Sequence, residues 1–168
     1  GQNRPFIGSA SAPLTFVVFV DFECPFCKDA SHSINALMLD ELYKNKARFI
    51  FRHFPITALR PHALNASMAA ECAHEQGKFL EMHNSLFDSQ DNLSIHSLKR
   101  LAVQVGLNSI EFNACLDSQK HLSVIENDMR DGIDLGVKST PVFLIKNKII
   151  EGAPTVDNLK AAIDGFIK

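Results

Sequence analysis

This 168-residue chain lacks any excess of basic charge: 17 Lys and Arg stand against 19 Asp and Glu, a formal net charge of −2. Gripping a phosphate backbone needs a basic face, so composition makes no case for a nucleic-acid partner. Also missing is an apolar run of the roughly 18 residues that a membrane helix needs. The longest candidate, Leu14 to Phe22, is strand-length and ends in charge. There is no internal repeat and no low-complexity tract, and no signal peptide is read within these 168 residues. The chain starts at Gly1 rather than at Met, so a processed or engineered start is expected, and an export signal already removed would leave no trace. What is present is apolar material, 46% of residues, enough to bury a sizeable core in one domain or in one domain carrying an insertion.

Residues 1–13 are rich in Pro, Gly and Ser and read as an extended lead-in. Leu14 to Phe22 is nearly unbroken in β-branched and aromatic residues, the pattern of a strand buried on both faces as in a parallel sheet. Beyond Cys24-Pro25, Phe26, Ala30, Ile34, Leu37, Met38 and Leu42 recur at helical spacing. Ala47 to Phe54 then reads as a second strand stopped by Pro55, completing a βαβ unit. From about Thr57 to Gly136 the apolar period is helical throughout, with helices expected near 60–76, 78–89, 94–105, 108–117 and 119–135. Ser94 and Asn108 are candidate N-caps. Strand character returns at Val142 to Ile145, followed by a tight turn at Asn147-Lys148, a hairpin partner from Lys148 to Glu151 and a last amphipathic helix from about Thr155 to Ile167.

Four cysteines are present: Cys24, Cys27, Cys72 and Cys115. The number alone fits two disulfides, or one redox pair with two buried thiols. Position says more. Cys24-Pro25-Phe26-Cys27 sits where a buried strand hands over to a helix, and Pro suits the first helical position. Unpaired N–H groups and the helix dipole favour negative charge there, so a thiol loses its proton more readily, and the thiolate is the reactive form. Cys24 is therefore expected to be the exposed nucleophile. Cys27, one turn on, is expected to be the more buried resolving thiol, and Pro25 and Phe26 the residues facing the sulfurs and substrate. The competing reading is half a structural zinc site, which needs a second close Cys or His pair. None stands nearby in sequence, and neither metal nor cofactor is expected. Thr140-Pro141, at the start of the returning strand, reads on composition alone as an ordinary strand-entrance proline. Arg52 and His53 read as a solvated strand end, although a basic residue near the cysteines would favour thiolate.

Three blocks, in order, resemble the bacterial DsbA-like thioredoxin-fold proteins. The first runs from Ile7-Gly8-Ser9-Ala10 through Ala12-Pro13 to Val18-Phe19-Val20-Asp21-Phe22-Glu23-Cys24-Pro25-Phe26-Cys27. The second joins Phe51-Arg52-His53-Phe54-Pro55 to Ala69-Ala70-Glu71-Cys72-Ala73 and Gln76-Gly77-Lys78-Phe79. The third is Gly136-Val137-Lys138-Ser139-Thr140-Pro141-Val142-Phe143. The resemblance implies an α/β, thioredoxin-like fold (βαβ…ββα) formed by residues 1–56 and 137–168, with an inserted all-helical domain over 57–136. It implies that Cys24 forms the mixed disulfide, that Pro141 is cis and that the Thr140 backbone hydrogen-bonds a bound peptide. It also implies a periplasmic or other extracytoplasmic location, cysteine-bearing exported proteins as substrates, and a membrane redox partner, either a quinone-linked oxidase or an electron donor.

Such proteins often carry an acidic residue six positions before the first cysteine; here that position is Val18. Asp21 and Glu23 lie nearer, and Asp21 reads as a cap or a solvent-facing residue. In an exported protein Cys72 and Cys115 are expected to form a structural disulfide. By chain-entropy arithmetic, closing a loop of about 43 residues is worth roughly 4 kcal/mol. A monomeric oxidase is the leading functional expectation and a reductase or isomerase the second. A chaperone or binding module on the same fold is a non-redox alternative, against which the intact Cys-x-x-Cys argues.

Overall fold

A computed structural model describes residues 3–168, and the chain divides into two compact units. The first holds residues 3–20, Cys24–Arg52 and Ser139–Lys168; the second holds Asp21–Glu23 and His53–Lys138.

The first unit is built on a five-stranded sheet. Its strands are β1 (Phe6–Gly8), β2 (Leu14–Val20), β3 (Ala47–His53, whose last residue belongs to the second unit), β4 (Val142–Ile145) and β5 (Lys148–Glu151), in the order β1-β3-β2-β4-β5. The lead-in is thus not merely extended. Phe6 to Gly8 pair antiparallel with Ile50 to Arg48 as an edge strand too short to show a sequence period. Gly8 permits it: at φ 107° a Cβ would stand 2.6 Å from the Ala47 carbonyl oxygen, closer than any side chain tolerates.

β2 pairs antiparallel with β4, Phe16 opposite Ile145 and Phe19 opposite Val142. It is buried on both faces only from Val18 to Val20, and alternates before that. The strand stops at Val20 rather than Phe22, and the Asp21 carboxylate accepts the Glu23 N–H at 2.8 Å in the turn that follows. At the sheet's centre Phe16 stacks on Phe49 with ring centroids 4.9 Å apart, and Phe143 meets both edge-on.

The helix after the cysteines, α1 (Pro25–Met38), buries Cys27, Ala30, Ser31, Ile34 and Leu37. Phe26 and Leu42, read as part of its apolar face, are 62% and 74% exposed. The helix ends before Leu42, at Leu39 and Asp40, whose N–H groups bond back to Ala36 and Leu37. The β4–β5 turn is Lys146-Asn147, one residue earlier than expected, with Lys146 in the left-handed region at φ 51°. A final helix, written α7 in chain order (Val156–Phe166), lies against α1 and is capped by the Thr155 side chain accepting from the Asn158 N–H.

The second unit is helical: α2 (Ala63–Glu75), α3 (Phe79–Asp88), α4 (Ile95–Gln104), α5 (Ser109–Asp117) and α6 (Leu122–Asp134). Ser94 and Asn108 cap α4 and α5, their side chains accepting from the N–H groups of Ser97 and Glu111. Phe22, His83 and Phe87 make an aromatic cluster, and Asp21 pins the same three-residue segment in place. Its carboxylate accepts from the N–H groups of Glu23 and Ile56, both at 2.8 Å, and from Arg60 at 3.2 Å. Asp21 is fully buried and neither a cap nor solvent-facing: backbone donors repay its desolvation. Among the described residues no helix is long and apolar enough to cross a membrane.

Candidate active site

Cys24 is the N-cap of α1, in extended conformation (φ −82°, ψ 120°), with Pro25 opening the helix. Its carbonyl receives the N–H groups of Cys27 at 3.1 Å and Lys28 at 3.3 Å, so the backbone turns into the helix directly at the cysteine. No acidic residue stands in the first turn to oppose negative charge there.

Neither cysteine is in a disulfide, and both are 1% exposed. The expectation of an exposed Cys24 beside a buried Cys27 therefore fails for Cys24. The physical reason is a second element: the Cys24 thiol is turned toward the loop before β4, where it donates to the Thr140 carbonyl oxygen at 3.3 Å. What α1 exposes at this point is Pro25 and Phe26. The Thr140-Pro141 peptide bond is cis. The Thr140 side-chain Oγ1 is buried with no hydrogen-bond partner.

Beside these residues lies a groove of about 640 Å³, lined by Phe26, Asp29, Ser33, Ser139 and Thr140 and closed by the Gly152–Thr155 turn. Sequence reading reached Phe26 and Thr140 but missed Asp29 and the turn after β5. Gly152 and Pro154 signal a turn in the sequence, but nothing there says which loop it faces. The other groups of interest belong to the helical unit. Cys72 on α2 and Cys115 on α5 are joined by a disulfide with Cα atoms 5.9 Å apart.

His53 is not a solvated strand end. It is fully buried, its N–H donates to Asp128 at 2.9 Å, and its Nε2 lies 2.7 Å from the buried Glu71 carboxylate. Arg52, the other half of that reading, stacks its guanidinium 5.9 Å from the centre of the Phe19 ring. Val18 is fully buried in β2 and supplies no acid.

A thiol at a helix start with a second thiol one turn on forms an arrangement suited to two-electron sulfur exchange. Comparison with known proteins points the same way. A model of the thioredoxin family matches residues 2–165. Among solved structures, a thioredoxin-like oxidoreductase from Silicibacter pomeroyi superposes with a TM-score of 0.87 at 26% identity, over 98% of this chain and 92% of that one. The thiol-disulfide exchange protein alpha-DsbA2 from Wolbachia pipientis gives 0.85 at 25% identity, over 96% and 86%. A curated relative, the Na(+)/H(+) antiporter NhaA 3 of Salinispora tropica, is 36% identical over 157 residues, 93% of this chain. The chain spans only about a quarter of the length of the curated antiporters it matches.

Proposed function

Because the chain belongs to the thioredoxin family, and its fold is that of the DsbA-like members, we propose that it is a thiol–disulfide oxidoreductase that donates a Cys24–Cys27 disulfide to exported proteins. The observation that carries the reading is the Cys24 sulfur, held at the start of α1 and 3.3 Å from the carbonyl of the residue before a cis proline.

In the oxidised form a substrate thiolate attacks the Cys24 sulfur, and Cys27 leaves as a thiolate. A second substrate thiolate then attacks the substrate's own sulfur in the mixed disulfide. Cys24 leaves as a thiolate that the helix terminus stabilises. The substrate loses two electrons and gains a disulfide, and the reduced pair passes those electrons to a membrane quinone-linked oxidase. The Thr140 backbone and the apolar surface of Phe26 hold the peptide beside the sulfur. The location is periplasmic or otherwise extracytoplasmic, and the working form is a monomer. Ion transport, named for relatives roughly four times longer, is not carried over to this chain.

A reductase or isomerase role is the second reading. The specific observation behind it is Phe26, which offers the Cys24 thiolate neither a hydrogen bond nor a charge. The equilibrium potential of the pair against glutathione buffers separates the two. The oxidase reading expects a value less negative than about −200 mV, toward the DsbA end of the scale; a value near the thioredoxin figure of about −270 mV sinks it.

A further inference from the structure

Besides the cysteine pair on α1, one cluster among the described residues combines soft and borderline ligand atoms. Cys72, Cys115 and His121 bring two sulfurs and an imidazole nitrogen within 4.8 Å of one another. Nothing in the sequence spacing shows this, because the three residues come from α2, α5 and the residue that opens α6. His121 Nε2 is buried and has no hydrogen-bond partner. The Glu75 Oε1 lies 2.9 Å away, an ion-pair contact when the imidazole is protonated. Glu75 is itself paired with Lys120 at 2.7 Å. A pocket of about 380 Å³, lined by Glu75, Glu111, Cys115 and Lys120 among others, borders the Cys115 side of the disulfide.

We propose that the Cys72–Cys115 bridge is the closed state of a zinc site, which opens when the bridge is reduced and binds Zn²⁺ through Cys72, Cys115 and His121. The geometry is near what the ion needs. With Zn–S of about 2.3 Å and Zn–N of about 2.0 Å, tetrahedral coordination puts donor atoms about 3.5 to 3.8 Å apart. Parting the bonded sulfurs to that spacing and drawing the imidazole in by about an ångström are side-chain movements. Two thiolates and an imidazole are the donor set zinc prefers over harder divalent ions. Glu75, 2.9 Å from His121, or a water from the adjoining pocket would complete the four-coordinate set.

The step balances. A dithiol gives two electrons and two protons to the Cys72–Cys115 bond and leaves as its own disulfide. Zinc then displaces the two thiol protons into solvent. In the oxidised chain both sulfurs are tied to each other and no site exists, so zinc occupancy reports the redox state of the helical unit.

The test uses the full chain carrying C24S/C27S, so that Cys72 and Cys115 are the only thiols. It is reduced with a phosphine, desalted without oxygen, and titrated with Co²⁺ and then Zn²⁺. One metal per reduced chain is expected, with thiolate-to-cobalt charge-transfer absorption that zinc abolishes and with no binding to the oxidised chain. His121→Ala should weaken zinc at least tenfold while leaving the oxidised fold intact. Circular dichroism accompanies each step. Should the reduced apo chain lose helix, recovery on adding zinc supports the site, and failure to recover overturns it. No saturable binding, equal binding to the oxidised chain, or indifference to His121→Ala would each overturn it as well.

Discussion

The Cys24 thiol and the Thr140 carbonyl oxygen, 116 residues apart in sequence, meet in a 3.3 Å hydrogen bond. The contact joins the start of α1 to the loop that enters β4. It also explains how a residue at an N-cap is buried while its neighbours Pro25 and Phe26 are exposed.

The roles of the two thiols follow from their places on α1. Cys24→Ser should abolish disulfide transfer, because the proposed mechanism forms the mixed disulfide on that sulfur. Cys27→Ser should retain attack at Cys24 but lose the resolving thiol, and so accumulate mixed disulfides with substrate. Non-reducing electrophoresis after incubation of the reduced variants with an unfolded protein whose cysteines are capped with glutathione reads both: the Cys24 thiolate displaces glutathione, and without Cys27 the disulfide to substrate persists. Trapping by Cys24→Ser instead would reverse the assignment.

Phe26 can neither donate a hydrogen bond to the Cys24 thiolate nor lend it charge. A histidine at this position can do both. Stabilising the thiolate of the reduced form makes a pair more oxidising. Phe26→His should therefore lower the Cys24 pKa and raise the potential together. On the oxidase reading wild type is expected above about −200 mV but below the DsbA value of about −120 mV. Thiolate absorbance against pH, run beside glutathione equilibration, measures both quantities; if neither moves, residue 26 does not control the poise.

The Thr140 hydroxyl is buried without a partner. An unsatisfied buried hydroxyl costs about 1–3 kcal/mol, and valine keeps its shape without it. Thr140→Val should raise stability by about 1 kcal/mol, seen as a higher urea midpoint at unchanged slope. A lower midpoint would mean that the hydroxyl has a stabilising role.

His83 sits among Phe22, Phe79 and Phe87. Burial, with a smaller contribution from His53, pushes its pKa down to about 3 from 6.5. Between those values the unfolded chain binds a proton at this residue and the folded chain does not, so stability falls as pH falls through that window. From pH 7.5 to 5 the loss attributable to His83 is about 2 kcal/mol. His83→Leu should lack that part of the acid slope whatever its stability at neutral pH. Denaturant melts at the two pH values decide: an identical slope in variant and wild type would mean that His83 titrates alike in both states.

Much of the architecture is determined locally and was legible in the chain. The helices of the second unit follow from apolar residues at a 3.6 period. Ser94 and Asn108 cap where their short oxygens reach the third N–H beyond them, a relation contained within four residues. The Cys24-Pro25 junction is local too, because Pro fixes the first helical φ and the run before it can only be a strand. Residues whose partners are distant in sequence were decided by tertiary structure alone. Asp21 looks like a turn residue until Ile56 and Arg60 arrive to pair with it. His53 looks like a strand end until Glu71 and Asp128 enclose it. Cys24 looks exposed until Thr140 covers it. Periodicity records which face of an element is apolar. Which polar group compensates a buried charge, and which carbonyl meets a thiol, depends on segments brought together only when the chain has folded.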